Sequence, residues 1–355
     1  MKEIKNIGIA GEGKMGTSLF LYLLGYDFRL VWLCSGTGGK DKAMKLAGKK
    51  MNILRQSGVM TAQEYALKSG QINITDNPAD LKDCDLIIEA IPEDIDLKNT
   101  LLRLLDSFIN PKCLFTTNSS SIAPSRLDIP DLRKERFAGM HFFFPVNLKK
   151  TVELIAGPDT SMGTVMMLGR FLTTIDKNIF HQEEKNAFVL NRLFLDFQAE
   201  AYNICREGKM NYRQIDRLVK ERFFPSGVFE LFDHVGLDVM LASIINYTDK
   251  ESDKRFYGPL IARLEELIRN NRLGLKTRNG FYEYDRQVMG HNEDPDYVIL
   301  PNTITEEAER RLKAKFEGSV KKVLDTGGIS TADLNEALKD YLGADHDLIG
   351  KQMFE

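Results

Sequence analysis

The residues best suited to chemistry stand at three places in the first half of the chain. His141 lies in the run Gly139-Met140-His141-Phe142-Phe143-Phe144-Pro145, and Glu153 follows twelve residues later inside the apolar run Val152-Glu153-Leu154-Ile155. A carboxylate buried in an apolar strand needs a partner, because an unpaired charge is costly to desolvate. If the two runs are neighbouring strands, His141 is the economical partner, and an imidazole oriented by a carboxylate can accept and return a proton. The plainer reading is a core histidine with one satisfied hydrogen bond. The third place is the polar run Thr116-Thr117-Asn118-Ser119-Ser120-Ser121, which reads either as helix-cap chemistry or as a ligand-binding strand end.

A further constellation opens the chain. Gly11, Gly13 and Gly16 are spaced G-x-G-x-x-G directly after the apolar run Ile7–Ala10 and before the helical run Thr17–Leu24. In that context Gly11 makes the tight turn, Gly13 lets backbone N–H groups approach a pyrophosphate, and Gly16 allows close helix–strand packing. The helix N-terminus adds positive potential for the phosphates. Together these features predict a dinucleotide site. An acid that accepts the ribose hydroxyls should end the second strand about 20 residues on. None stands there: the strand ends Leu33-Cys34-Ser35-Gly36, and a Gly/Ser/Thr loop leads to Lys40, Lys42 and Lys45. Either the cofactor is held without that hydrogen bond, or the site is degenerate, or hydroxyls and lysines meet a 2′-phosphate.

The elements that must position these residues form an α/β pattern. Short apolar runs at Ile7–Ala10, Leu30–Leu33, Ile72–Thr75, Leu86–Ala90, Leu114–Thr117, Ala138–Phe142 and Val152–Ile155 read as strands buried on both faces. Helical stretches such as Asp96–Phe108 and Met162–Leu172 lie between them, which predicts a Rossmann-type, doubly wound sheet over residues 1–184. From about residue 185 the period becomes helical, with Phe188, Leu190, Leu193, Phe194, Phe197, Ala201 and Ile204 on one stripe. The next strand-like pattern is Gly280-Phe281-Tyr282-Glu283-Tyr284. An all-α domain over 185–284 is therefore expected. Residues 285–355 read as a partial second copy: shifting by 119 positions lays Ala201 on Val320, Gly208 on Gly327, Ile215 on Leu334 and Phe223 on Leu342.

Composition removes whole classes of function. A formal net charge of −3 argues against a nucleic-acid partner, and no apolar run approaches the roughly 18 residues of a membrane span. Cys34, Cys84, Cys113 and Cys205 lack metal-ligand spacing and read as reduced thiols, so a cytoplasmic protein without a metal site is expected.

Taken together, the motifs resemble the L-3-hydroxyacyl-CoA dehydrogenase family, of the 3-hydroxybutyryl-CoA type, over residues 1–284. The resemblance rests on Gly11–Gly16, Ile88-Glu89-Ala90-Ile91, Asn118–Ser121, Gly139–Pro145, Val152–Ile155, Leu190-Asn191-Arg192, Phe229-Glu230-Leu231 with Asp233, Gly236–Val239, and Lys276-Thr277 through Tyr282. It implies oxidation of an L-3-hydroxyacyl-CoA to the 3-ketoacyl-CoA by hydride transfer to NAD, with NADP as the alternative. It also implies that His141 is the general base, that Glu153 orients it, and that Ser120 and Asn191 bond substrate oxygens. The implied cofactor-binding set is Gly11, Gly13, Lys14, Met15, Gly16, Cys34, Ser35, Glu93, Lys98 and Asn118. Lys49, Lys50 and Arg55 read as a solvated helix face, or else as basic candidates for the CoA phosphates. Three positions depart from the family pattern: Cys34 for the strand-two acid, Phe144 for an asparagine, and Ala187 for a glycine. A dehydrogenase of a hydroxy acid without CoA, or a non-catalytic nucleotide-binding relative, stands as the alternative function. The expected assembly is a monomer with an internal pseudo-dimer, or a homodimer.

Overall fold

The computed structural model describes residues 3–248, 254–284 and 300–350. The chain divides into two compact units, Met1–Ala187 and Phe188–Glu355. Unit one is built on eight strands: β1 (Asn6–Ala10), β2 (Arg29–Leu33), β3 (Ile72–Thr75), β4 (Leu86–Glu89), β5 (Leu114–Thr117), β6 (Phe137–Phe142), β7 (Thr151–Ala156) and β8 (Asn178–Glu183). They form one sheet in the order β3-β2-β1-β4-β5-β6-β7-β8. Every neighbouring pair is parallel except β6 and β7, which run antiparallel. The order reverses between β1 and β4, the topological switch at which open α/β sheets bind ligands beyond the strand ends.

Helices cover both faces. The helices of this unit are α1 (Lys14–Leu23), α2 (Gly36–Gln56), α3 (Ala62–Gly70), α4 (Ile95–Asp106) and α5 (Met162–Thr174). One core joins Ile7, Ile9, Phe20, Trp32 and Phe142 to Ala43, Ala47 and Met51 of α2 and Phe171 of α5. The opposite core joins Leu33, Ile87 and Phe115 to Leu102 and Leu105 of α4. Strands sandwiched this way must be apolar on both faces, which is why their runs do not alternate.

Two details of this unit differ from the sequence reading. The glycine-rich stretch after Cys34, expected as a loop, is the first turn of α2. Its composition resembles a loop, but Ala43, Ala47 and Met51 recur every four residues and hold the helix on the sheet. Second, β8 has no counterpart among the expected strands. It is an edge strand whose half-exposed or exposed Asn178, Ile179, His181 and Glu183 alternate with buried Phe180 and Gln182, so it shows no continuous apolar run.

Unit two is helical: α6 (Val189–Arg206), α7 (Tyr212–Arg222), α8 (Val228–Val235), α9 (Leu237–Thr248), α10 (Lys254–Arg269), α11 (Asn302–Asp325) and α12 (Thr331–Leu342). The strand-like run Gly280–Tyr284 forms only isolated bridges. Instead it wraps the buried Asp233, which accepts the N–H groups of Phe281 and Tyr282, each at 2.9 Å, and the Tyr284 hydroxyl at 3.0 Å. A side-chain carbon at Gly280 would lie 1.9 Å from Asp233 Oδ1, so the wrap requires glycine there.

Helices α6–α7 and α11–α12 share local geometry. Gly208 and Gly327 end the first helix of each pair with φ of +76° and +73°. The second helix of each starts at a polar cap, Asn211 receiving Gln214 N–H at 2.9 Å and Ser330 receiving Asp333 N–H at 3.1 Å. Helix α11 packs along α6 through Phe316 against Phe197, ring centres 6.3 Å apart, while Arg311 bonds Glu200 and Glu207 at 2.7 Å. Of the expected third segment, residues 285–299 and 351–355 lie outside the described residues.

Candidate active site

The antiparallel pairing of β6 and β7 sets His141 directly opposite Glu153. Cross-strand neighbours point to the same face of a sheet. Here His141 Nδ1 meets Glu153 Oε2 at 2.6 Å, with the two side chains 7% and 0% exposed. The other carboxylate oxygen, Oε1, accepts the Gln182 amide at 2.8 Å. The carboxylate is thus bonded on both sides, and it orients the imidazole. The Phe143 ring meets the imidazole edge-on, centres 4.5 Å apart, and restricts its rotation.

The polar run after β5 is organised by a carboxylate. Glu93 Oε1 accepts the N–H groups of Ser120 and Ser121 at 3.1 and 2.9 Å, the Ser121 hydroxyl at 2.7 Å, and the Ser119 hydroxyl. Burial works against the Glu93 charge, but the Lys98 ammonium and the serine hydroxyls hold its carboxyl below the usual carboxylate range. Lys98, only 1% exposed, bonds Glu89 at 2.6 Å and lies 3.5 Å from Glu93, while Thr117 donates to the second oxygen of Glu89 at 2.6 Å. Asn118 then ties this loop to β6, its Oδ1 accepting Phe142 N–H at 2.9 Å. Glu93 and Lys98 therefore shape the loop that presents half-buried Ser120.

The glycine turn fits a dinucleotide. Gly11, at φ +116°, closes the turn with its N–H on Leu33 O at 3.0 Å. A side-chain carbon at Gly16 would stand 2.0 Å from Gly11 O, whereas one at Gly13 would meet nothing within 4 Å. The first case is helix–strand contact, and the second is open space above the α1 N-terminus, where no side chain caps Gly13. A pyrophosphate suits that cradle. Lys14 and Met15 form the first turn of α1, and the Lys14 ammonium lies 4.8 Å above the half-exposed ring of Phe144, joining the turn to the end of β6.

At the tip of β2, Cys34 is buried and Ser35 is exposed. Burial, then the charges of Glu12 and Asp76, push the Cys34 thiol up to about 11. Ser35 is occupied with Glu12: its N–H donates to Glu12 Oε2 at 3.0 Å and its hydroxyl donates to Oε1. Lys40 lies 3.9 Å from Asp76.

Known proteins carry the same two domains in the same order. The model of the 3-hydroxyacyl-CoA dehydrogenase NAD binding domain matches residues 6–184, and that of the C-terminal domain matches residues 188–284. The chain belongs to the 3-hydroxyacyl-CoA dehydrogenase family. The 3-hydroxybutyryl-CoA dehydrogenase of Clostridioides difficile is 34% identical over 285 residues, 79% of this chain and 99% of that protein. The mitochondrial hydroxyacyl-coenzyme A dehydrogenase of Sus scrofa is 30% identical over 292 residues, 79% of this chain and 91% of that protein. Among solved structures, the (S)-3-hydroxybutyryl-CoA dehydrogenase of Ralstonia eutropha superposes with a TM-score of 0.71 at 27% identity, covering 80% of this chain and all of that one. The 3-hydroxybutyryl-CoA dehydrogenase of Escherichia coli K12 shares the fold over 98% of this chain, with a TM-score of 0.81 at 20% identity.

This dehydrogenase is thus an NAD-dependent oxidoreductase with a Rossmann-type domain followed by a helical one. Of its expected site residues, His141, Glu153, Ser120, Asn118, Glu93, Lys98 and the glycine turn all lie in unit one. Asn191 lies in unit two, in the first turn of α6, where its amide donates to the Tyr247 hydroxyl at 2.9 Å. Phe188, rather than the departing Ala187, carries the left-handed backbone ahead of that helix, at φ +61°. The basic candidates Lys49, Lys50 and Arg55 belong to α2, and Arg55 stacks 5.0 Å above the Tyr65 ring. Sequence reasoning did not find Gln182, Glu89 or Glu12. Gln182 could have been found from the alternation of β8, and Glu12 from a charge inside a turn otherwise made of glycine. Among the described residues no helix is long and apolar enough to cross a membrane.

Proposed function

We propose that this dehydrogenase interconverts an L-3-hydroxyacyl-CoA and its 3-ketoacyl-CoA, with His141 as general base oriented by Glu153. The observation that carries the proposal is the 2.6 Å contact between His141 Nδ1 and a Glu153 carboxylate that is itself fully buried. In the oxidation, His141 Nε2 takes the proton of the 3-hydroxyl while the C3–H bond breaks. The chemistry supplied by NAD when bound is acceptance of the hydride. Glu153 stabilises the imidazolium formed in that step, and Gln182 keeps Glu153 in place. Ser120 bonds a substrate oxygen. In ketone reduction the same imidazolium returns its proton to the forming alkoxide.

The test follows nicotinamide absorbance at 340 nm with acetoacetyl-CoA and with free acetoacetate. The CoA ester is expected to have the higher kcat/KM by a hundredfold or more, and equal values would favour a dehydrogenase of free hydroxy acids. In Glu153→Gln, kcat for ketone reduction is expected to fall roughly tenfold to a hundredfold. A variant with unchanged kcat would remove Glu153 from the mechanism.

The proposal extends to assembly. The Clostridioides difficile relative is matched over 99% of its length by 79% of this chain, so α11 and α12 are additions to that pattern. We infer that they act as a partial second copy of the helical domain, cover the face of α6 within one chain, and leave a monomer. A cytoplasmic location is supported by four cysteines held as free thiols.

A further inference from the structure

The tip of β2 lacks an acid, yet it does not lack a carboxylate. In dinucleotide folds the acid at this tip serves because its oxygens lie beside the glycine turn, where the adenosine ribose binds. That role depends on where the oxygens are, and not on which strand supplies them. Here the Ser35 N–H holds Glu12 Oε2 at 3.0 Å and the Ser35 hydroxyl holds Oε1, which draws a side chain from the glycine turn onto the tip of β2. We propose that Glu12 is the carboxylate that accepts the ribose hydroxyls of NAD and excludes NADP from this enzyme.

Three observations support the assignment. Ionised carboxylates offer about four acceptor positions, Ser35 uses two, and Glu12 is only half buried. The glycines after β2, which invite a phosphate-loop reading, instead give the carboxylate room. A side-chain carbon at Gly39 would approach Glu12 Oε1 to 3.0 Å and Cys34 Cβ to 3.5 Å, and Gly36 turns the chain at φ +64°. Two of the alternative ligands of a 2′-phosphate are engaged, since the Ser35 hydroxyl donates to Glu12 and Lys40 lies 3.9 Å from Asp76. A 2′-phosphate arriving here meets a fixed negative charge, whereas ribose hydroxyls meet an acceptor.

The proposal rests on NAD binding by unit one and not on the catalytic roles, so its test measures binding without substrate. Dissociation constants for NADH and NADPH are to be measured by calorimetry in the wild type, Glu12→Gln, Glu12→Ala, and Glu12→Ala combined with Cys34→Asp. The wild type is expected to prefer NADH at least a hundredfold. Glu12→Gln, which keeps an acceptor but not the charge, should narrow that preference tenfold or more, chiefly by tightening NADPH. Glu12→Ala should also weaken NADH, and Cys34→Asp should restore part of that loss by returning the acid to β2. Competition of ADP-ribose and its 2′-phosphorylated form against NADH reads the same subsite in the unmodified protein, with the plain form expected to win. Both Glu12 variants keeping the wild-type ratio within threefold, or a wild type indifferent to the 2′-phosphate, would overturn the assignment while leaving NAD binding intact. A wild type that binds no NADH would overturn the cofactor reading beneath it as well.

Discussion

Replacing His141 with Ala or Gln lowers turnover of acetoacetyl-CoA by two or more orders of magnitude and leaves the NADH dissociation constant within about twofold. Both halves of this expectation come from the geometry. Proton transfer by a positioned side chain is worth about 10² to 10⁴ in rate, and His141 is the histidine bonded to a buried carboxylate in this site. Its ring is 2.6 Å from Glu153 and is flanked by Phe143, while the glycine turn that suits the dinucleotide makes its own contacts with β2. Truncation to Ala also strands the Glu153 carboxylate, so a loss of stability accompanies it, and Gln, which can still donate to Glu153, separates the two effects. Steady-state kinetics on both variants, with NADH titrated by fluorescence, checks the prediction. Near-normal turnover in His141→Ala would show that another group moves the proton.

Ending the chain before residue 290 is expected to give an aggregating or newly dimeric protein. The truncation removes α11 and α12, whose Leu312, Phe316, Val320, Leu334 and Leu338 are buried. It uncovers a face of unit two that includes Phe197 and Phe224, whose ring centres lie 6.3 and 5.8 Å from Phe316. Apolar surface exposed to water costs about 25 cal/mol per Å², and a contiguous patch of this kind seeks another apolar face. Glu200, 13% exposed at its side chain, would lose Arg311 in the same cut. Light scattering during size exclusion distinguishes the outcomes. A truncated chain that stays monomeric and melts as the full chain does would show that the tail covers nothing of consequence.

What could be read in the sequence was what is local. Strands such as β1 and β4, buried on both faces, announce themselves as apolar runs, and the glycine turn is recognisable from one strand–helix junction. His141 and Glu153 are twelve residues apart and sit in two such runs, so their pairing follows from strand adjacency alone. The rest was hidden because it depends on distant partners. Gln182 reaches Glu153 from β8, an edge strand with too few apolar residues to stand out. Gly36 to Gly39 read as a loop because glycine composition outweighs three well-spaced apolar residues further along α2. The contacts of the Lys98 ammonium with the carboxylates of Glu89 and Glu93 depend on how the chain turns after β4, which the sequence does not display. Tyr247 reaches Asn191 across 56 positions, and no local pattern signals that contact.

With His141 and Glu153 in their proposed roles, the single antiparallel pair in the sheet makes activity a gauge of strand register. Side chains on a strand alternate between faces, so a slip of one residue between β6 and β7 would carry His141 and Glu153 to opposite sides of the sheet. Phe142 or Met140 would then stand opposite the carboxylate, and the sheet would still be apolar on both faces. Such a molecule could keep its helices, its size and much of its cooperativity while having no acid–base pair. A preparation of this enzyme that looks folded by circular dichroism is therefore not thereby shown to be native, and specific activity measures alignment that spectroscopy averages away.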